Sequence, residues 1–128
     1  MGIQRVSGLV CYVEDLTVTK HFYTQLGFQI DSQDEQQISL SLDGFWVDCI
    51  AASTETKPDF QAEARSEHKG AGMYVYIAVD DVDAFYTSVT DAGMKPLAEP
   101  KDWPWGNREF VLRDPDGYKL VFFRKIKK

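Results

Sequence analysis

Histidine and cysteine are scarce in this chain, with two of each among 128 residues. Cys11 and Cys49 each sit in an apolar, strand-like run without CxxC spacing. That rules out a disulfide framework and a cysteine zinc site, and predicts buried, reduced, inert thiols. His21 falls in a helical stretch and His68 in a polar one, as ordinary solvated or half-buried residues. Long apolar runs are absent too: none approaches the roughly 18 residues of a membrane span. The N-terminal MGIQRVSG lacks the apolar region of a signal peptide, so a soluble, cytoplasmic protein with no membrane partner is expected. Positive charge is short as well. Fourteen Lys and Arg face 20 Asp and Glu, a net charge of −6, with a pI near 4.8. This balance argues against nucleic acid as a partner, the tail residues Lys125, Lys127 and Lys128 being a local exception.

What is present begins with an apolar fraction of 44%, enough to bury a core in one ordinary domain or two small halves sharing one. The chain is also written twice. GLVCYVEDLTVTKHFYTQLGFQI (8–30) aligns with YVYIAVDDVDAFYTSVTDAGMKP (74–96), setting Val13 on Val79, Asp15 on Asp81 and Gly27 on Gly93. Each half begins with a strand running into an aspartate that can cap a helix, and a glycine ends that helix. The expected core positions are Leu16, His21 or Phe22, and Leu26 in the first helix. In the second they are Val82, Phe85, Val89 and Ala92.

The halves end alike, in Asp-Gly turns entering LDGFWVDCIAA (42–52) and PDGYKLVFFRK (115–125). Strands are expected at 28–33 and 36–42, and again at 94–99 and 107–113. Module one then spans 5–52, a polar linker 53–70 with about one helical turn at 60–65, and module two 71–125. The expected fold is α+β: two βαβββ modules whose mixed sheets pair around a shared concave cleft, with the helices outside.

Side-chain alternation assigns the faces. Leu9, Cys11 and Val13 go under the first helix, as do Val47 and Cys49, and Ile38, Leu40 and Leu42 point inward. Val75, Ile77 and Val79, with Leu120 and Phe122, go under the second. Gly8, Val10, Tyr12, Ser39, Ser41, Trp46, Asp48 and Ile50 are left for the cleft, with Tyr74, Tyr76, Ala78, Lys119, Val121 and Phe123. Trp103 and Trp105 flank Pro104 at the rim, where they can close over a planar group or a second subunit. Arg108 and Glu109 are neighbours on one strand, so only one enters the cleft: Arg108 would suit a ligand carboxylate, Glu109 a ligand amine.

The repeat, the Asp-then-helix starts and above all PWGNREFVLRDPDGYKLVFF resemble the vicinal oxygen chelate superfamily, which includes glyoxalase I, extradiol dioxygenases and bleomycin-resistance proteins. The resemblance covers nearly the whole chain, and Pro104-Trp105-Gly106, Arg108-Glu109-Phe110 and Arg113-Asp114-Pro115 are similar to the bleomycin-resistance-like branch. It implies a divalent metal held from the first and last strand of each half, at positions that fall on Gly8, Asp48, Tyr74 and Val121. Glycine and valine cannot ligate through a side chain, a neutral tyrosine is a poor ligand and one aspartate is not a site. No metal, cofactor or catalytic residue is therefore expected.

The branch it resembles consists of metal-free acidic homodimers that sequester a cationic, heteroaromatic antibiotic. The resemblance thus implies a homodimeric small-molecule binding protein of the antibiotic-resistance type. Its expected ligand-binding residues are Tyr12, Ser39, Ser41, Trp46, Asp48, Tyr74, Tyr76, Trp103, Trp105, Arg108 and Phe123. The alternative is a lyase, isomerase or hydrolase of the superfamily, with Asp48 as general base and Tyr12 or Tyr74 as acid.

Overall fold

The computed structural model describes residues 2–126; Lys127 and Lys128 of the basic tail lie outside the described residues. The chain divides into two compact units, with the boundary between Lys69 and Gly70. Each carries the βαβββ order and builds one four-stranded sheet of its own.

The first unit runs β1 (Gly8–Val13), α1 (Leu16–Leu26), β2 (Gln29–Gln33), β3 (Gln37–Leu42) and β4 (Phe45–Ala51). The sheet order is β1-β4-β3-β2, with β1 parallel to β4 and the other neighbours antiparallel. Helix α1 starts where expected because Asp15 is extended and its carboxylate accepts from the Thr17 and Val18 amides. It ends at Gly27, whose φ of 108° is the left-handed conformation a side chain disfavours. Asp43 and Gly44, both with positive φ, make the two-residue turn that sets the β3–β4 register.

The buried face of α1 differs from expectation. Thr19 and Tyr23 are its buried residues, whereas His21 is exposed and Leu16, Phe22 and Leu26 are half-buried. Residues four apart share a helix face, so Thr19 and Tyr23 lie on the Leu16–Leu26 stripe. Their hydroxyls disguised them in an apolar pattern. The Tyr23 ring packs edge-to-face on Phe28, centroids 5.2 Å apart. The core beneath comes from the expected strand parity, with Cys11, Val13, Ile38, Leu40, Val47 and Cys49 all buried.

After β4 the segment read as a linker is more ordered than one turn. It holds a 3-10 turn (Ala52–Thr54) and α2 (Pro58–Ala64). Pro58 stands in the first turn, where a missing amide hydrogen costs nothing.

The second unit runs β5 (Tyr74–Ala78), α3 (Val82–Asp91), β6 (Lys101–Asp102), β7 (Asn107–Arg113) and β8 (Lys119–Lys125). Its sheet repeats the first, in the order β5-β8-β7-β6 with β5 parallel to β8. Asp81 caps α3 by accepting from the Ala84 amide. Val82 and Val89 are buried and Phe85 packs on Phe122 at 4.8 Å, but Ala92 is exposed past the helix end.

No strand forms at 94–99. Pro96 and Pro100 have no amide hydrogen to give a ladder, and one bond, from the Leu97 amide to the Val111 carbonyl at 2.9 Å, ties that stretch to β7. The paired strand there is only β6. The Asp114–Gly117 turn closes as read: Gly117 (φ 95°) donates to the Asp114 carbonyl, and the Asp114 side chain accepts from Asp116 and Tyr118. Among the described residues no helix is long and apolar enough to cross a membrane.

Candidate functional site

The expected site residues fall into two sets, one on each sheet. On the first sheet, register places Gly8, Trp46 and Ser41 in one row, and Val10, Asp48 and Ser39 in the next. Side chains two apart point the same way, so these share a face with Tyr12. Tyr12 is tied down there. Its hydroxyl donates to Glu55 at 2.6 Å, and that bond, aided by burial, pushes the phenol up to about 12. The Glu55 carboxyl is lowered by the same bond. Among the described residues Asp48 makes no side-chain hydrogen bond. The Tyr12 hydroxyl is committed to Glu55, and Tyr74 belongs to the second sheet.

The second sheet presents the richer geometry. Tyr76, Val121 and Val111 form one row and Ala78, Phe123 and Glu109 the adjoining one, with Tyr74 beside Lys119. Of these, Tyr74, Tyr76, Glu109, Val111 and Val121 line a pocket of about 290 Å³ with Leu97, Glu99, Lys101, Trp103 and Trp105, whereas Phe123, expected in the site, is not in its lining. The volume is at the small end of the roughly 300–1,000 Å³ of ligand sites. Tyr76 packs edge-on against Phe123 at 5.3 Å.

The tryptophans stack on each other, with centroids 4.8 Å apart and planes within 9°. The Lys101 ammonium stands 4.1 Å over the Trp103 ring, and Lys119 stands at the same distance over Tyr74. Trp103 is therefore engaged by an indole and an ammonium. Trp105, 59% exposed, is the member of the pair that can offer a ring to a ligand. The Trp103 amide donates to the Asn107 carbonyl and the Gly106 amide to the Trp103 carbonyl, and Gly106 has φ 94°. This tight return presents both indoles on the pocket side.

Glu99, Lys101 and Glu109 are charged residues of this pocket outside the expected set, and Glu109 is the buried one. It is 5% exposed. Its Oε2 accepts from Trp105 Nε1 at 3.0 Å and Asn107 Nδ2 at 2.9 Å, and its Oε1 meets the Tyr76 hydroxyl at 3.4 Å. Burial, and then the Glu109 charge, raise the Tyr76 phenol above its ordinary value.

Arg108, expected among the ligand-binding residues, is not in the lining of this pocket. It faces the other side of the sheet, where Nε and Nη2 grip both Asp83 oxygens at 2.9 Å and Nη1 binds Asp102. Those two carboxylates, Asp83 first, raise its already high pKa, and Asp83 is lowered in return. The choice between the two neighbours was decidable from the hairpin. Counting outward from the Asp114–Gly117 turn pairs Glu109 with Phe123, which alternation had already put on the open face.

The metal positions implied by the resemblance do not suit a divalent ion. Gly8 has no side chain, and a β-carbon there would run into the Trp46 ring and carbonyl. Val121 is apolar and buried, and Tyr74 lies under an ammonium. Among the described residues no group of three His, Cys, Asp or Glu side chains is placed to hold a metal.

Comparison with known proteins agrees with this architecture. Residues 5–122 match the family model described as Glyoxalase/Bleomycin resistance protein/Dioxygenase superfamily. A glyoxalase/bleomycin resistance protein/dioxygenase from Nocardioides superposes with a TM-score of 0.84 at 20% identity, over 99% of this chain and 87% of that one. A virulence protein from Salmonella typhimurium gives 0.77 at 21% identity, covering 98% and 100%. A superfamily protein from Alicyclobacillus acidocaldarius gives 0.71 at 19%, covering 96% and 92%. At these identities the likeness is one of fold. Among curated proteins no match is found.

Proposed function

The chain belongs to the glyoxalase/bleomycin resistance protein/dioxygenase superfamily, and we propose that within it the protein binds and sequesters a planar or cationic aromatic small molecule without a metal. One observation carries this reading. The second unit gathers Tyr74, Tyr76, Trp103, Trp105 and apolar Leu97 and Val121 around a pocket with a single buried carboxylate. Such a pocket offers stacking area for a planar group. The unsuitable donors at Gly8, Tyr74 and Val121 support a metal-free role. Resistance to a bleomycin-type antibiotic is the leading case, because the proline–tryptophan–glycine connection and the Arg-Glu-Phe strand resemble that branch. A cytoplasmic homodimer without nucleic-acid or membrane partners completes the proposal.

The test uses the tryptophans as reporters. Bleomycin is titrated into the protein in EDTA, and emission is followed after inner-filter correction. Saturable quenching is expected, and Trp105→Ala should weaken affinity by about 2- to 30-fold, the worth of roughly 0.5–2 kcal/mol from one aromatic platform. No saturable change up to high micromolar concentrations would remove bleomycin as the ligand.

A further inference from the structure

We infer that Glu109 selects the ligand class of the second-unit pocket: planar cations that carry an N–H donor, such as protonated heteroaromatic amines or amidines. The inference rests on the binding role proposed above and narrows it.

Glu109 is the pocket's one buried charge. Its two oxygens are in different states. Oε2 is held by two good donors, Trp105 Nε1 and Asn107 Nδ2, which fixes the side chain in place. Among the described residues Oε1 has only the Tyr76 hydroxyl at 3.4 Å, long for an O–H···O bond, whose usual range ends at ~3.0 Å. A carboxylate oxygen accepts more than one hydrogen bond, so Oε1 retains capacity on the side of the pocket. The surroundings are aromatic and apolar. In them a charge-assisted N–H···O bond is strengthened, and a donor that fails to pair is penalised.

The same indole that orients Glu109 also offers the stacking surface. A ring lying on Trp105 therefore brings its edge toward the carboxylate. An N–H on that edge is read by Oε1, and a methyl group there is refused for want of a hydrogen. Glu99, the other carboxylate of the lining, is exposed, and Lys101 stands over the Trp103 ring.

Three fluorescent probes of one shape separate the terms: 9-aminoacridine, an N–H cation at pH 7.5; 10-methylacridinium, a cation without N–H on the ring nitrogen; and neutral acridine. Wild-type protein is expected to bind 9-aminoacridine about tenfold or more tightly than 10-methylacridinium, the scale of one charge-assisted hydrogen bond. Glu109→Gln should bring that ratio toward one. Circular dichroism and the Tm confirm the variant's fold, and the wild-type ratio stands without any variant. If wild-type protein binds all three probes alike, or if the preference survives in Glu109→Gln, the carboxylate is not the selector and the stacking role remains. If none of the three binds, the inference and the proposed binding role fall together.

Discussion

At the scale of single residues, Gly8 shows how a neighbour can occupy the space a side chain would need. Gly8 sits where the resemblance implies a ligand, yet the volume a side chain would need is filled by the indole and carbonyl of Trp46, its register partner. Any replacement must therefore move a neighbour that is part of the sheet. Gly8→Ala is expected to cost about 1–3 kcal/mol by overpacking, measured by urea unfolding. Part of that cost should vanish in a Trp46→Ala background, because the indole is the movable half of the clash; an unchanged cost would show that the backbone carbonyl alone is responsible. Arg108 and Glu109 make the complementary point. Adjacent in sequence, they are separated by the thickness of the sheet, one held by Asp83 and Asp102 and the other by Trp105 and Asn107.

At the scale of elements, the stretch after β4 is organised by one short bond. Tyr12 on β1 donates to Glu55, whose backbone carbonyl accepts from Gln61 of α2. The connection is thereby anchored at both ends of that residue. The phenol is raised from 10.0 to about 12. A raised tyrosine contributes stability that is complete below its unfolded value and is lost as pH rises through the folded one. The contribution should therefore fade between about pH 10 and pH 12. Absorbance at 295 nm is expected to show a late tyrosine component that shrinks by one tyrosine in Tyr12→Phe and shifts in part to lower pH in Glu55→Gln, the contribution of Tyr76, also raised, staying in both variants. A wild-type titration with no late component would contradict this assignment.

The elements themselves were legible because their signals are local. Asp15 and Asp81 cap by bonds within three residues, and strand parity needs only alternation. The expected strand at 94–99 failed for a reason also written locally, in Pro96 and Pro100. Thr19 and Tyr23 were overlooked because a hydroxyl on a buried side chain breaks an apolar count without breaking the helix face.

For the whole molecule, the repeated unit is the organising fact. Each unit has its own mixed sheet and its own capped helix, and the second carries the tryptophan connection and the pocket it lines. The homodimer proposed with the binding role predicts sedimentation at twice the 14.6 kDa chain mass at tens of micromolar protein. A species of single-chain mass under those conditions would contradict it.

By itself the sequence determined the βαβββ order of each half, the helix caps and turns, the parity of most strands and the poor ligand chemistry of Gly8, Tyr74 and Val121. These follow from short-range geometry and from side-chain chemistry, which do not wait on folding. Only the tertiary structure decided that Trp103 and Trp105 stack on each other, that Arg108 is spent on Asp83, and that Glu109 stands buried among Trp105, Asn107 and Tyr76. Glu109–Tyr76 and Arg108–Asp83 join residues far apart in the chain, brought together by the packing of strands and helix, while the stack and the Trp105 and Asn107 bonds depend on the path of the 103–107 connection. Local periodicity carries no information about that.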